Sequence, residues 1–171
     1  MQSTERWLPV VGYEGLYEVS DLGRVKSLAR VTVRERRGAF PVPERILKQS
    51  RSKTGHLRVH LYKDKQRKER GVHQLVASAY VPGRAPGLEV CHNDGDPAHN
   101  LPANLRWDTH SSNLLDAVAH GRNAMANKTR CVHGHEFTDE STGTDKSGYR
   151  YCRTCRREQQ RKSRTKQRSI A

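Results

Sequence analysis

Acidic residues are in short supply: 18 Asp and Glu stand against 32 Lys and Arg in 171 residues, a formal net charge of +14. Apolar residues make up only 33% of the chain and aromatic residues 6%. No stretch approaches the ~18–20 consecutive apolar residues of a membrane-spanning helix, which excludes a helical membrane protein. One large core is not expected either, because there are too few large apolar side chains to fill it. Small modules with added staples are the expected build. The segment Met1-Gln2-Ser3-Thr4-Glu5-Arg6-Trp7 lacks a basic stretch followed by an apolar one, so no secretory signal is read and a reducing cytoplasm is expected. The four cysteines then read as metal ligands or free thiols, not disulfides.

What the chain has in excess is positive charge, and it is unevenly placed. Residues 153–171 hold Arg153, Arg156, Arg157, Arg161, Lys162, Arg164, Lys166 and Arg168 against Glu158 alone, half of the net charge. Each cation that neutralises a phosphate releases a condensed counterion, so a nucleic acid is the expected partner. The block reads as an arm or helix for phosphates, or as a solvated tail, and a tail that orders on DNA satisfies both.

Three stretches separate by pattern. Residues 6–50 alternate apolar and polar between glycines, which predicts short strands and tight turns, with a basic turn around Arg34–Gly38. Next, Leu57, Val59 and Leu61 alternate on one face of a half-buried strand, a lysine-rich turn spans Lys63–Lys68, and Leu75, Val76 and Ala79 share a helical face. Leu88–His92 reads as a strand, Asn93–Ala103 as a polar loop and Asn104–Trp107 as a second strand. Thr109 is placed to cap a helix that Gly121 ends. Strand, loop, strand and helix make a ββα unit. A polar linker, a Cys/His cluster and the basic tail follow.

The ββα unit carries His92, then Asn104 twelve residues on, then Asn113 nine further. With Cys91-His92-Asn93-Asp94-Gly95-Asp96 and Asn104-Leu105-Arg106-Trp107, this pattern resembles the HNH endonucleases of phages and homing introns, over about residues 72–121. The resemblance implies an endonuclease that uses a divalent metal (Mg²⁺, Mn²⁺ or a softer transition metal) to nick or cut double-stranded DNA. It implies His92 as the base that activates water, Asn113 as a metal ligand and Asn104 as the residue that ties down the loop. Histidine suits the first role because its unperturbed pKa lies near 6.5. Cys91 departs from the family, which usually has a metal-ligating Asp or His there. It is expected to ligate a softer metal, to leave Asn113 and water on magnesium, or to be a small core thiol. His73 is read as a structural hydrogen-bonder and His110 as a solvated helix-start residue. His56, His60, His99 and His120 are read as surface residues.

Residues 7–28, with Tyr17-Glu18-Val19-Ser20-Asp21-Leu22-Gly23-Arg24-Val25, resemble the modular DNA-binding motif associated with homing nucleases. Arg24, Lys26 and Arg30 are available there for phosphates; a plain β support is the alternative. Cys131 and His135, followed by Cys152 and Cys155, have the spacing of two knuckles around a structural Zn²⁺, with His133 as competitor to His135. Behind them, Arg156, Arg157, Arg161, Lys162 and Arg164 would lie along a groove. The expected architecture is α+β: a DNA-binding β module at 1–50, a ββα-metal core at 51–121, a linker at 122–130, and a zinc-stapled hairpin with a basic helix at 131–171. The alternative function is a weak or inactive HNH-fold DNA-binding accessory protein, and an RNA-acting nuclease is a third reading. If phage-encoded, the protein would act in the host cytoplasm or nucleoid. Monomer and dimer stay open.

Overall fold

The computed structural model describes residues 4–34 and 38–168. The basic turn expected around Arg34–Gly38 runs through residues 35–37, outside the described residues, as do positions 1–3 and the end of the tail at 169–171. The chain divides into two compact units, Met1–His120 and Gly121–Ala171.

The first unit opens with β1 (Trp7–Pro9), β2 (Tyr17–Ser20) and β3 (Val25–Ser27), paired antiparallel in that order. Alternation sends Tyr17, Val19 and Val25 inward, all buried. The turn between β2 and β3 closes on Ser20, whose Oγ accepts from the Arg24 N–H at 3.0 Å, with Gly23 at φ +73°. An exposed hairpin of β4 (Arg30–Arg34) and β5 (Gly38–Val42) follows, and β6 (Arg45–Ile46) returns to pair with β3. Next, β7 (Ser50–Arg51), β8 (Leu57–Lys63) and β9 (Gln66–Gly71) form a second sheet. Asp64 and Lys65, at φ +50° and +61°, turn β8 tightly into β9. Where the sequence predicts only a lysine-rich turn, the chain thus forms a hairpin. Its second strand, Gln-Arg-Lys-Glu-Arg-Gly, is solvent-facing and carries no apolar alternation to announce it.

Helix α1 (Val72–Tyr80) lays Val72, Leu75, Val76 and Ala77 into the core. They meet Val10, Tyr17, Val19 and Val25 from the first sheet and Val59 and Leu61 from the second. Burying side chains of this size contributes roughly 1.5–3 kcal/mol each. Two tyrosines tie the halves together: the Tyr62 N–H donates to Tyr17 Oη at 3.0 Å, and Tyr80 Oη–H donates to the Val19 carbonyl at 3.1 Å. The module at the N-terminus and the middle stretch therefore share one core. Completing the unit are β10 (Glu89–His92), a 3₁₀ turn at Pro102–Asn104, β11 (Leu105–Asp108) and α2 (His110–Ala119). Thr109 caps α2 by accepting from Ser112 N–H at 3.2 Å, and Gly121 follows its end at φ +65°. Asn104 ends the 3₁₀ turn, so the second strand starts one residue later than the sequence predicts.

The second unit consists of β12 (Thr142–Thr144), β13 (Arg150–Cys152) and α3 (Arg153–Arg168). A Cβ on Gly143 would collide with Tyr151 Cζ, so any larger residue there would push the tyrosine ring aside. Arg150 stacks on Phe137 at 4.1 Å and donates to the carbonyls of Met125 and Lys128. Among the described residues of this unit, only Gly143 and Cys152 are buried. No described helix in either unit is long and apolar enough to cross a membrane.

Candidate functional site

Pairing of β10 with β11 sets Cys91 opposite Arg106 and His92 opposite Leu105. The two-residue period puts Glu89 and Cys91 on one face of β10, Val90 and His92 on the other. His92 is 8% exposed, and its Nε2 lies 3.0 Å from Asn100 Oδ1. An amide oxygen only accepts, so this contact is a hydrogen bond when Nε2 carries the proton, and in the neutral ring that tautomer leaves Nδ1 with a lone pair. The His92 ring packs against His56 and His73, with centroids 5.7 and 5.4 Å away. Burial, then the neighbouring His56 and His92, lowers the His73 pKa to about 3, which keeps that ring neutral at physiological pH.

Asn104 organises the loop after His92. Its Nδ2 donates to Asp94 Oδ1 at 2.9 Å and to the His99 carbonyl at 2.8 Å, while its Oδ1 accepts from the Asp94 N–H at 3.1 Å. His99 closes on Asp94 from the far side at 2.5 Å and, with Asn104, holds that carboxyl well below the usual carboxylate range. Losing three such hydrogen bonds at about 0.5–1.5 kcal/mol each sets the expectation for Asn104→Ala: about 2–4 kcal/mol of lost stability. Urea unfolding followed by circular dichroism measures it.

The opposite face of β10 meets α2. Glu89 accepts from Asn113 Nδ2 and from His110 Nδ1, each at 3.0 Å. These two contacts, Asn113 first, hold the Glu89 carboxyl below its ordinary range while it stays exposed. Cys91, two residues further along the strand, is 1% exposed, and burial raises its thiol pKa. Arg106 lies across from it, paired with Asp108 and Asp116. A groove of 990 Å³ runs past Glu89 and Asn113, with His56, His73, Arg70 and Arg84 among its walls.

A second cluster lies in the other unit. Cys131 Sγ, His135 Nδ1, Cys152 Sγ and Cys155 Sγ fall within 4.8 Å of one another. The pairs Cys131–His135, Cys131–Cys155 and His135–Cys155 measure 3.5, 3.6 and 3.2 Å, and Cys152–His135 measures 3.8 Å. A tetrahedral metal bound at about 2.0–2.3 Å spans ligand pairs of roughly 3.5–3.8 Å, so the four atoms could hold one ion. A turn closed by Gly134 N–H on the Cys131 carbonyl brings His135 back to the sulfurs, while His133 stays exposed.

Residues 5–62 match the NUMOD4 motif. Over 115 residues the chain is 36% identical to DNA endonuclease I-HmuI of Bacillus phage SP01, covering 67% of this chain and 59% of that protein. The solved structure described as DNA binding and cleavage by the HNH homing endonuclease I-HmuI superposes with a TM-score of 0.56 at 35% identity, over 68% of this chain and 60% of that one. Over this stretch the chain has the HNH fold of a homing endonuclease. It spans about three fifths of the length of this HNH relative.

The residues expected from sequence fall into four groups. His92 and Asn104 sit together around the loop of residues 93–103, and Asn113 sits with Glu89 on the α2 side. Arg24 and Lys26, expected on phosphates, are engaged inside the module. Arg24 Nε donates to Glu5 at 2.9 Å, and Lys26 pairs with Glu18 at 2.9 Å beneath Trp7. Arg30 donates to Ser27 Oγ at 2.8 Å. On α3, Arg156 stacks on Tyr151 at 4.7 Å, and Arg157, Arg161, Lys162 and Arg164 are exposed along the helix. Sequence reading missed Asn100, Glu89 and the packing of His56 and His73 on His92. The only available signal was the presence of polar residues flanking His92, which does not single out any of them.

Proposed function

We propose that this HNH chain is a DNA endonuclease that hydrolyses phosphodiester bonds of double-stranded DNA. The supporting observation is His92 at the end of a ββα strand, with its Nε2–H committed to Asn100 and its Nδ1 left as a base. In this reading Nδ1 takes a proton from water, and the water oxygen attacks phosphorus. The phosphorus–O3′ bond then breaks, giving a 5′-phosphate and a 3′-hydroxyl once the leaving oxygen gains a proton. Asn104 holds the loop and does not touch substrate.

A divalent ion, when bound, would supply positive charge to the phosphate oxygens. The donor set fits a hard ion through Asn113 and Glu89, which offer an amide and a carboxylate oxygen. Cys91 does not fit: its sulfur is buried and its thiol holds its proton. Glu89→Gln is therefore expected to weaken Mn²⁺ binding by about 10- to 100-fold, while Cys91→Ser leaves it within about twofold. Titration followed by Mn²⁺ electron paramagnetic resonance, on protein without DNA, reads both. The reverse ranking would return the ligand role to position 91.

In the second unit we assign zinc to Cys131, His135, Cys152 and Cys155, because thiolates and imidazole in a closed tetrahedron suit zinc and leave no open position. Zinc here is structural. The exposed cations of α3 are assigned to backbone phosphates.

Incubation of plasmid with the protein and Mg²⁺, Mn²⁺, Ni²⁺ or Zn²⁺ tests the reading, with His92→Ala as control. Relaxed or linear DNA from the wild type alone is expected. One observation favours a second reading: the buried Cys91 leaves the metal without the ligand usual at that position. A DNA-binding accessory protein with a silent nuclease fold would bind DNA with strong salt dependence and leave it uncut whichever metal is added.

A further inference from the structure

We propose that Asn100 is a positioning residue for His92, and that the Ser20–Arg24 turn of the N-terminal module holds Asn100 in place. This rests on reading His92 as the base. Asn100 is 4% exposed, and its Oδ1 accepts from His92 Nε2–H at 3.0 Å. Its Nδ2 is buried without a hydrogen-bond partner. An unpaired buried N–H disfavours folding, so a residue kept there for packing alone would be apolar. The amide oxygen is the part in use.

Its orientation decides which histidine nitrogen can act. With Oδ1 toward the ring, the proton sits on Nε2 and Nδ1 keeps its lone pair. Rotated by half a turn, the amide would donate to Nε2, the ring proton would move to Nδ1, and that nitrogen could no longer accept from water. Immobilising Asn100 is thus a condition for a base at Nδ1.

The immobilising surface comes from 77 residues earlier in the chain. Gly23 lies so close that a Cβ there would stand 3.2 Å from both Asn100 Cβ and the Asn100 carbonyl oxygen. That turn is itself fixed: Gly23 N–H donates to the Ser20 carbonyl at 3.1 Å, and Gln49 Nε2 donates to the Gly23 carbonyl at 2.7 Å. The same module whose Arg24 and Lys26 are engaged in ion pairs with Glu5 and Glu18 therefore serves as the back wall of the catalytic loop.

Long-range nitrogen NMR of histidine rings tests this on the metal-free full chain, at a pH where imidazole is neutral, with His92 assigned from the spectrum of His92→Gln. The expected wild-type signature is Nε2–H. Asn100→Asp retains an acceptor and keeps the Nε2–H pattern, whereas the near-isosteric Asn100→Leu gives a mixture of tautomers. Single-turnover cleavage by the Leu variant is expected to fall on the order of 10- to 100-fold at unchanged half-saturating DNA, with substantial recovery in the Asp variant. Gly23→Ala, whose added Cβ would meet Asn100 and not the His92 ring, is expected to move the His92 resonances and slow cleavage at unchanged DNA affinity. An Nδ1–H tautomer in the wild type, or an unchanged tautomer in Asn100→Leu, overturns the role of Asn100. Unmoved resonances in Gly23→Ala overturn the role of the turn. A wild type that cuts no DNA with any metal sinks the nuclease reading instead, and the tautomer measurement still decides the positioning.

Discussion

His92→Ala is expected to lower the single-turnover rate of plasmid cleavage by about two to four orders of magnitude, the range that a positioned general base contributes. DNA affinity should stay within a few-fold, because His92 is 8% exposed and carries no charge to offer a phosphate in its neutral form. The variant also leaves Asn100 Oδ1 facing a cavity. Some loss of stability is therefore expected, and a melting curve must accompany the rate. Added imidazole separates the two effects: a small base that fills the space beside His56 and His73 should recover part of the rate without restoring the melting temperature. Wild-type cleavage by His92→Ala would end the assignment of His92.

The second large effect concerns the metal of Gly121–Ala171. Chelation of the full chain, or Cys152→Ser, is expected to unfold this unit while Met1–His120 stays folded. Its described residues bury only Gly143 and Cys152, far too little apolar surface to hold a hairpin and a sixteen-residue helix together. Structural zinc supplies on the order of 10–16 kcal/mol of apparent binding energy at neutral pH, and in such a unit that is folding energy. The site also crowds three sulfurs. Burial, followed by the Cys131 and Cys152 sulfurs, pushes the Cys155 thiol up to about 12. Metal analysis should give about one zinc per chain. Amide resonances from residues 121–168 should collapse on chelation, and those from 5–119 should persist. Full retention of the resonances from residues 121–168 in metal-free protein would show that the cluster is not a staple.

How far the sequence reached varied with the physics involved. The ββα unit was legible because strand alternation, the Thr109 cap and the spacing from His92 to Asn104 to Asn113 are all local. The metal cluster was legible for the same reason, and a single turn at Gly134 decided between His133 and His135. Strand β9 was invisible, since a polar edge strand is defined by its ladder to β8 and not by its own pattern. The placements of Arg24 and Lys26 also lay beyond reach: composition displays their charge but not the carboxylates of Glu5 and Glu18 that meet them. Asn100 and His73 gain their importance from tertiary contact alone, across intervals that no spacing rule covers.

The tyrosine ties between the first sheet and the middle of the chain bear on how such proteins can be recombined. Tyr17 Oη accepts from the Tyr62 N–H, and Tyr80 reaches the Val19 carbonyl, so the first fifty residues do not behave as a bead on a string. A chimera cut near residue 50 would open the shared core on both sides of the junction. One cut at Gly121 would transplant a whole folded body with its loop geometry intact. For anyone retargeting this scaffold, the N-terminal sheet is inherited together with the chemistry, and the exchangeable part is the segment after Gly121.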